Sequence, residues 1–146
     1  MSGEFSNGVH EMPVRVYYED TDLSGFVYHA NYLRFAERGR SEFLYQCGVD
    51  HDILRKGDPE TVFVVASMDI TFKTPAKIND LLTVKTVYTK AKGARFEISQ
   101  KILRGDEVVW TADIVAASVS VAGRPVRLPA SLMQIIKGRL GSKELI

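Results

Sequence analysis

These 146 residues predict an α+β fold in which an antiparallel sheet wraps around one long central helix. Three observations carry the prediction. One helical stretch with an apolar stripe follows an initial strand-like run, and strand-like runs separated by turn residues come after it. Hydrophobic residues make up 45% of the chain and charged residues 25%, which is enough apolar surface for one packed core. The helix must bury its stripe, and the apolar face of the sheet is the only partner available.

Taken in order, residues 1–11 are polar, contain glycine and show no period, so they read as a flexible leader with the fold beginning at Met12. Val14 and Val16 alternate with Arg15 and lead into Tyr17 and Tyr18, which suits a strand ending in the polar stretch Glu19 to Gly25. From Asn31 to Cys47 the spacing becomes helical, with Tyr32, Phe35, Ala36, Gly39, Phe43 and Cys47 on one stripe and Gly48 as a left-handed cap. A period of two then places Val62, Val64, Ala66, Met68, Ile70 and Phe72 on one face of a strand that Pro75 ends. Strand-like runs at Leu81 to Tyr88, Arg95 to Leu103 and Val108 to Val121 are separated by Gly93 and by Gly105-Asp106, as antiparallel neighbours are. Pro129 to Arg139 suits a short helix before a frayed tail, which divides the chain into a leader 1–11, a domain 12–129 and a C-terminal helix and tail 130–146.

A net charge of +1 supplies no field for nucleic acid or anionic lipid. The single Cys47 excludes an internal disulfide, and no signal sequence or spanning run is present, so a cytoplasmic protein with no membrane insertion is expected. No histidine spacing supports zinc, and no metal or cofactor is expected. His10 and His51 are expected at the surface, and Cys47, at a helix C-terminus, is expected to pack rather than react. Asp20-Thr21-Asp22-Leu23-Ser24-Gly25 begins like a calcium loop. The twelfth position is Asn31 where such a loop needs glutamate, and the preceding segment reads as strand.

The loop before the helix carries the chemistry. The first amides of a helix lack internal partners and can receive a carbonyl oxygen as it becomes anionic. A carboxylate beside them can attack that carbonyl or activate water, and Asp22 stands in the right place. Gly25 lets the chain turn sharply or approach a substrate closely. Glu19 and Asp20 read as loop hydrogen-bonding or solvated groups. The pattern licenses a hydrolytic site without choosing among carbonyl substrates.

The run Tyr18-Glu19-Asp20-Thr21-Asp22-Leu23-Ser24-Gly25-Phe26-Val27-Tyr28-His29-Ala30-Asn31-Tyr32, continued by Phe35, Glu37, Arg38, Arg40 and Glu42, resembles the 4-hydroxybenzoyl-CoA thioesterase family, in its Tol-Pal-associated acyl-CoA thioesterase branch. The resemblance spans about Met12 to Pro129. It implies the hotdog fold and an acyl-CoA hydrolase in which Asp22 is the catalytic carboxylate and the His29 amide polarises the thioester carbonyl. Tyr28 and Asn31 match further motif positions. Glu37 matches an acidic one, with a substrate contact and a salt bridge to Arg34 or Arg40 as its two readings. The family places CoA phosphates near the turn that Lys90, Lys92 and Arg95 surround. It also implies a homodimer joined sheet edge to sheet edge with the site at the interface, often within a homotetramer. Leu23 and His29-Ala30 depart from the founding members, so short or medium aliphatic acyl groups are expected rather than aromatic ones, carried by CoA or by an acyl carrier protein. The alternatives are a non-catalytic acyl-CoA or acyl-carrier-protein binding module on the same fold and, less favoured, a dehydratase, whose His-containing motif is not apparent.

Overall fold

A computed structural model describes residues 3–146. The six strands are β1 (Glu4–Ser6), β2 (Val9–Arg15), β3 (Thr61–Phe72), β4 (Leu81–Lys92), β5 (Arg95–Arg104) and β6 (Glu107–Ser120). They form one antiparallel sheet in the order β1-β2-β4-β5-β6-β3. Helix α1 (His29–Gln46) packs on one face of the sheet against β2 and β4, α2 (His51–Arg55) follows it, and α3 (Ala130–Lys137) packs Ile136 into the core. This is the α+β hotdog arrangement.

Helix α1 buries the stripe that its 3.6-residue spacing marks out, with Phe35, Ala36, Gly39 and Phe43 against the sheet. Gly48 takes φ 78° just after the helix, the left-handed conformation that ends it. The helix passes close over β4 and β5 because position 39 has no side chain. A Cβ there would stand 2.8 Å from Val84 Cγ1 and 2.9 Å from Thr86 Oγ1. Under it, Gln100 donates to the Ala36 carbonyl at 2.8 Å and to Thr86 Oγ1 at 2.9 Å, so a buried amide locks the helix to two strands.

Both ends of the chain differ from the sequence reading. From residue 4 onward the leader carries regular structure: Glu4–Ser6 and Val9–Arg15 form a hairpin across Asn7 (φ 52°) and Gly8 (φ 80°). Asn-Gly in a two-residue turn is a strong local hairpin signal, and it fell in a stretch judged by its polarity. The hairpin packs Phe5 edge-on to Phe43 at 4.8 Å, with the Arg139 guanidinium 4.5 Å above the Phe5 ring. His10 is fully buried rather than at the surface, paired across the hairpin with Phe5. Met1 and Ser2, the start of the expected leader, lie outside the described residues.

The tail is not frayed either. Gly141 donates its amide to the Tyr88 carbonyl at 3.0 Å, where β4 runs on past β2. Lys143 pairs with Asp113 at 2.6 Å, and Lys101 donates to the Ile146 carbonyl at 2.6 Å, so the tail is tied to the outer face. The third difference is β3. A register shift between Val65 and Ser67 breaks its strict alternation, and Val64, Val65 and Phe72 are exposed. Among the described residues, strand β3 pairs with β6 alone and leaves a twelve-residue edge open.

Candidate active site

Asp20 organises the loop between β2 and α1. Its carboxylate accepts from the Tyr17 amide at 2.8 Å and from the Asn31 side chain at 2.8 Å, and its backbone carbonyl accepts from the Tyr28 amide at 2.9 Å. One buried residue thus ties the strand end, the loop and the helix start together. A second anchor comes from the segment between β3 and β4. The Tyr32 hydroxyl accepts from the Ala76 amide at 3.0 Å, and the Ala76 carbonyl accepts from the Val27 amide at 2.9 Å. That segment is fixed in turn by Arg104, which pairs with Asp80 at 2.7 Å.

Asp22 stands at the exposed tip of this anchored loop. Its amide donates to the Phe26 carbonyl and its carbonyl accepts from the Gly25 amide, both at 3.1 Å. Gly25 takes φ 82° with open space where a side chain would be, so it serves the sharp turn rather than relieving crowding. The Asp22 carboxylate accepts from the Ser24 hydroxyl, and from the Ser24 amide at 2.8 Å. The hydroxyl first and the amide second hold the carboxyl below its ordinary value, with a smaller contribution from the nearby His29 ring. Asp22 is therefore ionised and open to solvent.

Across from it, α1 begins at His29 with no side chain capping it. Tyr28 has an extended backbone, and the Asn31 amide turns back to the Tyr28 carbonyl at 2.8 Å. The His29 and Ala30 amides have no acceptor among the described residues. They carry the positive end of the helix, and the His29 ring is close enough for its charge to act on the ionised Asp22 carboxylate. The Tyr28 and His29 rings meet at 4.5 Å.

Asp22, Gly25, Tyr28 and His29 are brought together, and the other expected residues are not. Asn31 is buried beneath the loop with its amide occupied by Asp20. Glu37 lies two turns along α1, where it accepts from the Ser41 hydroxyl at 3.1 Å rather than pairing with Arg34 or Arg40. Ser41 also meets His51 Nε2 at 3.2 Å, so His51 is half-buried in a side-chain network instead of free at the surface. Lys90 and Arg95 approach Glu97 at 3.8 and 3.7 Å, and with Lys92 they lie at the far end of β4. The Asp22 loop meets the near end, through Phe26 and Lys77. Eleven residue steps at about 3.3 Å put the two ends about 36 Å apart, so within one chain the three basic residues do not share the site.

Sequence reasoning missed three contributors. Ser24 stands two residues after Asp22, the spacing at which an aspartate captures a following amide, and that signal was available. The three-way role of Asp20 and the hydroxyl contact of Tyr32 join residues from separate segments, which local pattern does not show. Among the described residues, no group of three or more His, Cys, Asp or Glu is placed to hold a metal. No described helix is long and apolar enough to cross a membrane.

Residues 16–136 match the model of the thioesterase-like superfamily. The acyl-CoA thioesterase YbgC of Haemophilus influenzae is 39% identical over 118 residues, 80% of this chain and 86% of that protein. The acyl-CoA thioester hydrolase YbgC of Escherichia coli O6:H1 is 34% identical over 127 residues, covering 86% and 93%. A crystal structure of a probable thioesterase from Bartonella henselae superposes with a TM-score of 0.79 at 46% identity, covering 83% of this chain and 99% of that one.

Proposed function

Because the chain belongs to the thioesterase-like superfamily, we propose that it hydrolyses acyl-CoA thioesters to free acid and CoA, with Asp22 and the start of α1 as its catalytic apparatus. The observation that carries this reading is the pairing of an ionised, accessible Asp22 with the open His29 and Ala30 amides. A thioester carbonyl seated on those amides has its carbon exposed to the carboxylate. Asp22 then attacks the carbon itself, expelling the CoA thiolate and leaving an anhydride that water opens, or takes a proton from a water that attacks. A positioned base contributes about 10² to 10⁴ in rate and one oxyanion donor about 10² to 10³, so each half needs the other. The Tyr28 and His29 rings meet at the helix start, and short or medium aliphatic acyl groups, on CoA or on an acyl carrier protein, are the substrates proposed.

The active unit is proposed to be a homodimer joined through β3, alone or within a homotetramer. The open edge of β3 and the exposure of Asp22 in the single chain both ask for a second surface. An antiparallel match of β3 with its copy sets the Thr61 end of one chain beside the Phe72 end of the other. Ala117 pairs with both Val64 and Arg95, so the Lys92 and Arg95 turn lies two strands from the Thr61 end. On that arrangement the copy's turn comes toward Asp22, and its charges would meet CoA phosphates there.

The test is Asp22→Asn, which keeps an acceptor for Ser24 and removes the charge. With a panel of acyl-CoA thioesters and free thiol as readout, turnover falls about 10²-fold or more while acyl-CoA binding stays within a few-fold. Native turnover in the variant would overturn the catalytic assignment. Acyl-CoA binding by a native chain that cleaves no thioester would favour the non-catalytic binding module.

A further inference from the structure

A cavity of about 120 Å³ lies between α1, α2, β3 and β5, walled by Leu44, Phe63, Phe96 and Ile98. Buried Tyr88 and half-buried Arg40 are donors on that wall, which Glu37, Ser41 and His51 complete on the polar side. Tyr88 is 3% exposed with its ring stacked on Phe43 at 4.3 Å, and no described residue hydrogen-bonds its hydroxyl. Arg40 donates to the neutral Gln100 Oε1 at 3.0 Å, and no carboxylate among the described residues comes within ion-pairing distance of it. The nearest acid on the rim, Glu37, is turned to Ser41, and His51 meets the same Ser41 hydroxyl. Burial holds the Arg40 guanidinium below its ordinary value, and Tyr88 and the Glu37 carboxylate, which is near but not within ion-pairing distance, offset that only in part.

We propose that this cavity receives the far end of the acyl group and selects acyl chains that end in a carboxylate, with Arg40 and Tyr88 as its donors. A carboxylate supplies the anion that Gln100 does not, and it accepts from a guanidinium and a phenol together. Gln100 is itself fixed by Ala36 and Thr86, so the guanidinium waits in one orientation. The inference rests on the acyl-CoA reading above. Along its own helix Arg40 lies eleven residues past His29, about 16 Å. Antiparallel pairing of β3 shortens the path: Phe72 packs against Tyr32 near the helix start, and Val64 on the cavity wall lies eight residues back along the strand. On the proposed pairing, a copy running the other way brings its cavity toward the His29 and Ala30 amides.

Pentanoyl-CoA and glutaryl-CoA have acyl chains of equal length and differ only at the far end. The native protein is expected to favour glutaryl-CoA by about tenfold or more in kcat/KM. Arg40→Met is expected to lose about tenfold of that preference while keeping pentanoyl-CoA turnover, and Tyr88→Phe, which keeps the stacked ring, to lose a smaller part. A native preference for pentanoyl-CoA, or an unchanged preference in both variants, overturns the proposal and leaves the hydrolase reading standing. If neither thioester is cleaved, glutaryl-CoA binding that is tighter by about tenfold and lost in Arg40→Met keeps the pocket and overturns the hydrolase reading. Equal binding of the two overturns the pocket.

Discussion

Gly39→Ala tests how closely the helix must approach the sheet for the fold to close. The added Cβ meets Val84 Cγ1 at 2.8 Å, Thr86 Oγ1 at 2.9 Å and Gln100 Nε2 at 3.1 Å. Val84 and Thr86 are fully buried and branched at Cβ, so neither can swing away cheaply, and the amide is held by two hydrogen bonds. Overpacking at such a site costs about 3 kcal/mol. Replacing glycine by alanine within a helix returns about 1 kcal/mol through propensity. The net loss is about 2 kcal/mol, which for a chain of this length lowers Tm by about 6 °C. Thermal unfolding followed by circular dichroism, with urea unfolding to check that the m-value is unchanged, measures it. A Tm equal to or above that of the native protein would show that α1 can lift off β4 and β5 without cost, and the account of the helix seat would be wrong.

Two further outcomes follow from the site and from the open edge. Asp22 acts as a carboxylate, and its pKa is lowered first by the Ser24 hydroxyl, so activity persists below the ordinary carboxylate range and fails as pH falls through the lowered value. Ser24→Ala raises that value, and the acid limb of kcat/KM measured between about pH 3 and 6 moves upward; an unmoved limb would mean that a different group titrates. Val65→Lys places a charge on the exposed edge of β3, where it is expected to yield monomers by light scattering and to abolish turnover together. A fully active dimer would exclude edge pairing through β3.

Local pattern was enough for much of this protein. The 3.6-residue recurrence of Tyr32, Phe35, Ala36 and Phe43 marks the face that α1 buries, and it does so because residues three and four apart share a helix side. Asp22, Gly25 and His29 fall within eight residues of one another, so their placement in the loop and at the helix start follows from their nearness in sequence. The Asn7-Gly8 hairpin carries an equally local signal, the left-handed backbone of a two-residue turn.

What the tertiary structure alone decided are meetings between residues far apart in the chain. Gln100 reaches the Ala36 carbonyl across 64 positions, and Tyr32 reaches Ala76 across 44. Strand β3 crosses to the far edge beside β6, which leaves its apolar residues open, and the β4–β5 turn carries Lys90, Lys92 and Arg95 away from Asp22. Periodicity says which face of an element is apolar. Strand order depends on how all the apolar faces share one core, and no run of neighbouring residues contains that information.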